Sequence, residues 1–184
     1  MLWAAMLWLG GGGTDERLLM HMRAQPGSPL AEAARWITPL GGGGVLLPVA
    51  ALAALGLALR RRAWEAMLLV AALLSCRLLV SVQKMLVARP RPPLDLHLVE
   101  VSSTSFPSAH AANSAATLAC LLLFLPGARR PPVVAATALL ALAIGLSRPV
   151  LGVHWPSDVV GGWAFGLAWA LVWAATTRRR LSPS

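Results

Sequence analysis

Charged residues are scarce in this chain. They make up 12% of its 184 residues, against about 25% in soluble domains. That deficit, beside 57% hydrophobic residues, excludes an ordinary soluble domain and places the chain in the membrane class. Cysteine is nearly absent. Cys76 and Cys120 each sit inside an apolar run without metal-ligand spacing, so both read as small buried hydrophobes. Tyrosine is missing and lysine occurs once, while Ala, Arg, Gly and Pro are in excess. This is the composition of a GC-rich, bacterial genome and carries no mechanism. Acidic residues are few, 7 against 16 basic, which leaves a net charge of +9. A basic balance raises nucleic acid as a partner. The distribution excludes it, because eight of the sixteen cations fall in three clusters, Arg60–Arg62, Arg129–Arg130 and Arg178–Arg180, each bordering an apolar run. Loops on the positive-inside face of a membrane look like this, and a duplex-binding stripe does not.

A membrane span needs about 20 apolar residues. Segments at roughly 40–59, 63–83, 109–125, 132–151 and 159–177 approach or meet that requirement. The chain therefore reads as one all-α domain over 1–184, a polytopic bundle of five to six transmembrane helices with its core at about 40–177. The apolar run from Met1 to Leu9 is too short to span alone and has no basic n-region, so it is a partial first helix or an interfacial segment rather than a cleaved signal. Residues 14–39 read as an amphipathic segment at the membrane surface. Leu18, Leu19, Met22, Leu30, Ala34 and Ile37 form its apolar side, and Pro26, Gly27 and Pro29 interrupt it. The four-glycine runs at 10–13 and 41–44 read as flexible joints. Trp36, Trp64, Trp155 and Trp173 fall near span ends, as an interfacial belt would. Gly162 and Gly166 form a GxxxG that implies close helix packing and permits a homodimer.

If the helices alternate, the three arginine clusters share the cytoplasmic side, and segments 84–108 and 147–158 share the opposite one. Lys84, Arg89, Arg91 and Arg148 then stand against the positive-inside tendency. An anionic ligand is the simplest reason for cations placed there. Lys84 ends an apolar run, Arg91 lies in a proline-rich stretch, and Arg148 sits just beyond the end of another span; guanidinium forks suit phosphate oxygens. Ser108 precedes a helix that begins at Ala109, whose free N–H groups and partial positive charge favour an anion. His154 and Asp158 are four residues apart. A carboxylate bound to one imidazole nitrogen fixes the tautomer and leaves the other as a nucleophilic lone pair. His110, on a different helix, is placed to protonate a leaving oxygen. Together these groups can transfer a phosphoryl group with cations in place of a metal.

The three clusters are Lys84 followed by six residues and Arg91-Pro92; Pro107-Ser108-Ala109-His110; and Ser147-Arg148, five residues, His154, three residues, Asp158. In this order and spacing the chain resembles the type-2 phosphatidic acid phosphatase superfamily over roughly residues 40–177. Ala109 stands where that pattern has glycine; alanine keeps the N–H and adds a methyl near the phosphate. The resemblance implies His154 as a nucleophile forming a phosphohistidine, Asp158 as its orienting group and His110 as general acid. It implies Lys84, Arg91, Ser108, Ala109 and Arg148 as the phosphate-binding set, with no metal and no cofactor. Soluble members of the superfamily lack the apolar spans seen here. The expected activity is that of a lipid phosphatase in the bacterial inner membrane with its site on the periplasmic face. The leading substrate expectation is undecaprenyl diphosphate. The alternatives are phosphatidylglycerophosphate, phosphatidic acid, or transfer of the phosphate to another lipid.

Overall fold

The computed structural model describes residues 2–181, with the side chains of Leu9 and of 177–181 outside the description, so the third arginine cluster is not placed by it. The described residues form helices α1 (Leu2–Leu9), α2 (Gly13–Met22), α3 (Pro29–Ile37), α4 (Gly43–Leu59), α5 (Ala63–Val87), α6 (Ala109–Phe124), α7 (Pro131–Val150) and α8 (Pro156–Leu181). A short 3-10 turn, Thr38–Gly41, joins α3 to α4. Helices α5, α7 and α8 are long and apolar enough to cross a membrane. The α3 and α4 pair, bent by 44° at its junction, passes as one broken span. Helix α6 has 16 residues, about 24 Å at 1.5 Å per residue, which is short of a bilayer core.

Helix α6 is nevertheless the centre of the bundle, packed against α4, α5, α7 and α8. Its residues Ala111 to Thr117 are all buried. The bundle is small and tight within and large and apolar without. Ala50, Ala66, Ala72, Cys76, Ala112, Ala116, Cys120 and Ala170 contribute to the main core, whereas Leu52, Leu74, Leu78, Leu139 and Leu171 point outward. Lipid tails solvate leucine as well as another helix does, so small residues, which admit close backbone approach, drive the packing. Both cysteines are buried in this core, as expected. A Cβ on Gly162 would lie 2.7 Å from the Ser108 carbonyl oxygen, and one on Gly166 would lie 2.2 Å from that of Ala112. The GxxxG is therefore used against α6 within the chain.

Several expectations change. The segment 14–39 is two helices broken at 23–28, the second capped by Ser28, whose hydroxyl accepts from the Ala31 N–H at 3.3 Å. Its buried side is Leu19, Ala31 and Ala34, while Leu18 and Leu30 are exposed. Each glycine run is closely packed at its first residue, while Gly11, Gly13 and Gly44 have open space around them. A Cβ on Gly41 would meet Ile144 and His110, and one on Gly10 would meet the Arg89 guanidinium. Trp155 is buried and donates its indole N–H to the Pro90 carbonyl at 3.0 Å, so it belongs to the interior rather than to an interfacial belt.

Candidate active site

The predicted residues meet at one end of the bundle because four chain segments turn there. Helix α5 ends at Ala88, which adopts the left-handed conformation (φ 47°) and donates its N–H to the Lys84 carbonyl. This C-terminal turn places Lys84 at the last turn of the helix. Its ammonium donates to the carbonyls of Thr104 and Ser105, and the Thr104 hydroxyl returns a bond to the Lys84 carbonyl at 2.9 Å. Arg91 donates to the carbonyls of Ser103 and Val153. The loop between α5 and α6 is thus pinned by Lys84 at the end of α5 and by Arg91 within the loop. Arg148 lies in the last turn of α7 rather than beyond it. One of its terminal nitrogens donates to Thr38 Oγ1 at 2.6 Å.

Gly152 follows α7 with φ 73°, and a Cβ there would lie 2.0 Å from the Leu96 carbonyl oxygen. Only glycine serves this turn, which delivers His154 to the site. His154 precedes α8 instead of lying on it. Asp158, in the first turn of α8, accepts from the Trp155 N–H at 2.9 Å, the reciprocal half of a capping box. The carboxylate that caps this helix also faces the imidazole, with Asp158 Oδ2 3.3 Å from His154 Nδ1. Ser105 donates to the same oxygen at 2.5 Å. With acceptors gathered at Nδ1 the ring proton sits there, and Nε2 keeps its lone pair.

Lys84, Arg91, Ala109, His110, Arg148 and His154 line one cavity of about 350 Å³, together with Thr38, Glu100 and the loop residues around it. Asp158 stands behind His154, fully buried. Ser108 is the N-cap position of α6, but its hydroxyl makes no capping bond. Its Oγ and the Arg148 Nε are buried without a hydrogen-bond partner among the described residues. Buried polar atoms are rarely left so. The Ser108 hydroxyl and the Arg148 Nε are thus donors available to an anion. Burial first, then Arg91, Arg148, Lys84 and His110, hold the His154 imidazole well below the ordinary histidine range, so the ring is neutral at neutral pH. Among the described residues no three His, Cys, Asp or Glu side chains gather as metal ligands.

All eight predicted residues therefore fall at one site. Sequence reasoning gave no role to three others. Thr38 holds Arg148, Ser105 holds Asp158, and Arg89 donates to Asp158 Oδ1 at 2.7 Å. Arg89 did carry a signal, as a cation on the face where cations are disfavoured. Thr38 carried none.

The chain is similar to known membrane phosphatases. The chain is 34% identical over 144 residues to phosphatidylglycerophosphatase B of Bacillus subtilis, covering 75% of this chain and 70% of the relative. It is 39% identical over 123 residues to decaprenylphosphoryl-5-phosphoribose phosphatase of Mycobacterium tuberculosis, covering 65% and 64%. Its fold superposes on the crystal structure of the transmembrane PAP2 type phosphatidylglycerolphosphate phosphatase from Bacillus subtilis with a TM-score of 0.85 and 28% identity, over 96% of this chain and 92% of that one. Residues 65–182, which hold every predicted site residue, match the profile of the PAP2 superfamily, and the chain belongs to that family as a membrane phosphatase.

Proposed function

We propose that the protein hydrolyses a lipid phosphomonoester, phosphatidylglycerophosphate first among them, through a phosphohistidine on His154. The observation that carries this reading is the His154 imidazole, held at Nδ1 by Asp158 and facing Lys84, Arg91 and Arg148 across one cavity. The phosphate oxygens take the Ser108 hydroxyl, the Ala109 N–H and the three cations. The phosphate dianion offsets the cations around His110, which takes up a proton from water as substrate binds; Nε2 then attacks phosphorus in line, the bond to the lipid oxygen breaks, and His110 gives that oxygen its proton. Water then attacks the phosphohistidine and returns a proton to His110, releasing inorganic phosphate and the dephosphorylated lipid. The cations stabilise charge as it develops on the transferring oxygens.

Glu100 shapes the choice of substrate. It lines the mouth of the same cavity. A carboxylate there repels the second phosphate of a diphosphate and accepts hydrogen bonds from a glycerol headgroup. This favours phosphatidylglycerophosphate over the undecaprenyl diphosphate expected from the sequence, and it agrees with the activity named for the Bacillus relative. Arg62 and Arg129, from two basic clusters, border one cavity away from the site residues. By the positive-inside tendency that end is cytoplasmic, and the His154 cavity opens on the extracytoplasmic face of the plasma membrane.

The test is phosphate release by the purified protein from phosphatidylglycerophosphate, phosphatidic acid and undecaprenyl diphosphate, each with EDTA present. Phosphatidylglycerophosphate is expected to turn over fastest, without metal. Loss of turnover in EDTA with restoration by magnesium overturns the mechanism. Faster release from the diphosphate overturns the role given to Glu100. Phosphate recovered on a second lipid rather than in water identifies a transferase.

A further inference from the structure

The nucleophile's carboxylate is held on two sides. Asp158 Oδ2 takes the Ser105 hydroxyl, the Trp155 N–H and His154. Oδ1 takes Arg89 Nη1 at 2.7 Å, an ion pair in which Arg89 is 7% exposed and Asp158 not at all. The Arg89 guanidinium is itself fully engaged. Nη1 also donates to Ser157 Oγ at 3.1 Å. Nη2 donates to the carbonyls of Met6 at 3.0 Å and Leu7 at 2.6 Å. Those carbonyls lie in the last turn of α1, where they have no partner inside the helix and carry its negative dipole end. The guanidinium carbon lies over the Phe106 ring, 4.3 Å from its centre, and that ring packs against Trp3 of α1 with ring centres 5.5 Å apart.

A second carboxylate completes the arrangement. Asp15, in the first turn of α2, is 4% exposed. Its Oδ1 accepts from the Ser157 N–H at 3.0 Å. Its Oδ2 accepts from the Ser157 hydroxyl at 2.6 Å and from the Gly11 N–H at 3.0 Å. Because the Ser157 hydroxyl proton is committed to Asp15, the oxygen lone pair is left for Arg89. The order of donation is fixed from α2 to the site: Ser157 donates to Asp15, and Arg89 donates to Ser157 and to Asp158. No room is left for a side chain at Gly10, where a Cβ would lie 1.9 Å from Arg89 Nη1.

We infer that Arg89 is a positioning residue for the reaction, and that the N-terminal helices are part of the active site because they hold it, through Asp15, Ser157 and the α1 carbonyls, against Asp158. The inference rests on His154 as nucleophile. Arg89 touches neither the cavity nor a reacting atom. It acts by keeping the carboxylate turned to His154 Nδ1. A planar fork with donors on two edges can reach Asp158 and α1 at once, which a single ammonium cannot. Truncating one partner of a buried pair leaves the other charge uncompensated, and the carboxyl then turns away or takes up a proton.

The test uses the full-length protein in mixed micelles with phosphatidylglycerophosphate. It compares Arg89→Gln, Arg89→Lys, Asp15→Asn and His154→Ala. The readouts are kcat, KM, the inhibition constant of inorganic phosphate, and the folded fraction from size exclusion. Removing a group that orients a reacting side chain costs about 10–100-fold in activity, so Arg89→Gln is expected to lower kcat by about 100-fold and Asp15→Asn by about 10-fold, with Arg89→Lys between them. KM and the phosphate inhibition constant stay within about twofold, because the phosphate ligands are untouched. Asp15→Asn is isosteric and keeps the test open if Arg89→Gln fails to fold. The inference is overturned if kcat per folded molecule stays within about threefold of the parent, or if kcat and phosphate affinity fall together. His154→Ala separates the failures. If it still turns over, the nucleophile assignment falls and this inference with it. If it is inert while Arg89→Gln and Asp15→Asn behave like the parent, only the positioning role falls.

Discussion

His154 is surrounded by positive charge and almost sealed from water, and both effects oppose an imidazolium. The sign follows directly. The neutral ring persists as pH falls through the range where an ordinary histidine, near pH 6.5, takes up its proton. In spectra of the detergent-solubilised protein labelled with 15N-histidine, His154 is expected to keep neutral-imidazole shifts at pH 6. A titration midpoint at or above the ordinary value removes this electrostatic account. The two histidines also separate by leaving group. On the proposed mechanism His110 protonates the departing oxygen before it accepts a proton from water, so its importance in the first step grows as that oxygen becomes a poorer leaving group. His110→Ala should lose far more rate on phosphatidic acid than on p-nitrophenyl phosphate, and His154→Ala should lose both alike along with any trapped phospho-enzyme. Equal losses for His110→Ala on the two substrates remove its role as general acid. The residues proposed to bind phosphate were legible in the sequence because that chemistry requires fixed types at short spacing. Those that hold them were not. Thr38 meets Arg148 across 110 positions, and Ser157 meets Asp15 across 142. A contact at such separation leaves no local pattern.

Helix α6 carries Ala109 and His110 and α8 carries Asp158, and the contact of the two helices is set by glycine. The Ser108 N–H also donates to the Asp158 carbonyl at 3.0 Å, which ties the first turns of the two helices together. Gly166→Ala puts a methyl 2.2 Å from the Ala112 carbonyl, and backbone on both sides cannot give way. Overpacking of this kind costs about 1–3 kcal/mol. The variant is expected to melt at lower temperature in detergent, and to lose activity because the displaced α6 carries Ser108 and His110 with it. An unchanged melting temperature and rate would mean that the close contact is unimportant. At this scale the sequence was a good guide to α4, α5, α6, α7 and α8, whose apolar runs are long. It was a poor guide to residues 14–44. The short helices α2 and α3 there dock on α7 and α8 through contacts distant in sequence, and a glycine run reads the same whether it is loose or closely packed.

The bundle has two chemically different ends. One carries the His154 cavity, and the other carries Arg62 and Arg129 beside the turn between α6 and α7. Single cysteines at Ser102 and at Pro126, both exposed, should report the orientation, since the native Cys76 and Cys120 are buried. In intact cells an impermeant thiol reagent is expected to label Ser102→Cys and to spare Pro126→Cys. The opposite pattern would invert the proposed topology.

The position of the cavity at the helix ends also sets how the enzyme meets its substrate. Helix α6 begins at Ser108, and with 16 residues it is too short to span the bilayer core, so the phosphate pocket lies near the level where headgroups meet hydrocarbon. A lipid held in the bilayer reaches it by diffusing in the plane, and the dephosphorylated lipid leaves by the same route while phosphate escapes into water. The two products part into different phases, which opposes the back reaction. Turnover then follows the two-dimensional density of phosphorylated lipid around the protein rather than its amount per volume of cell suspension. Inert lipid added to the surrounding membrane slows the enzyme even when the total quantity of substrate is unchanged.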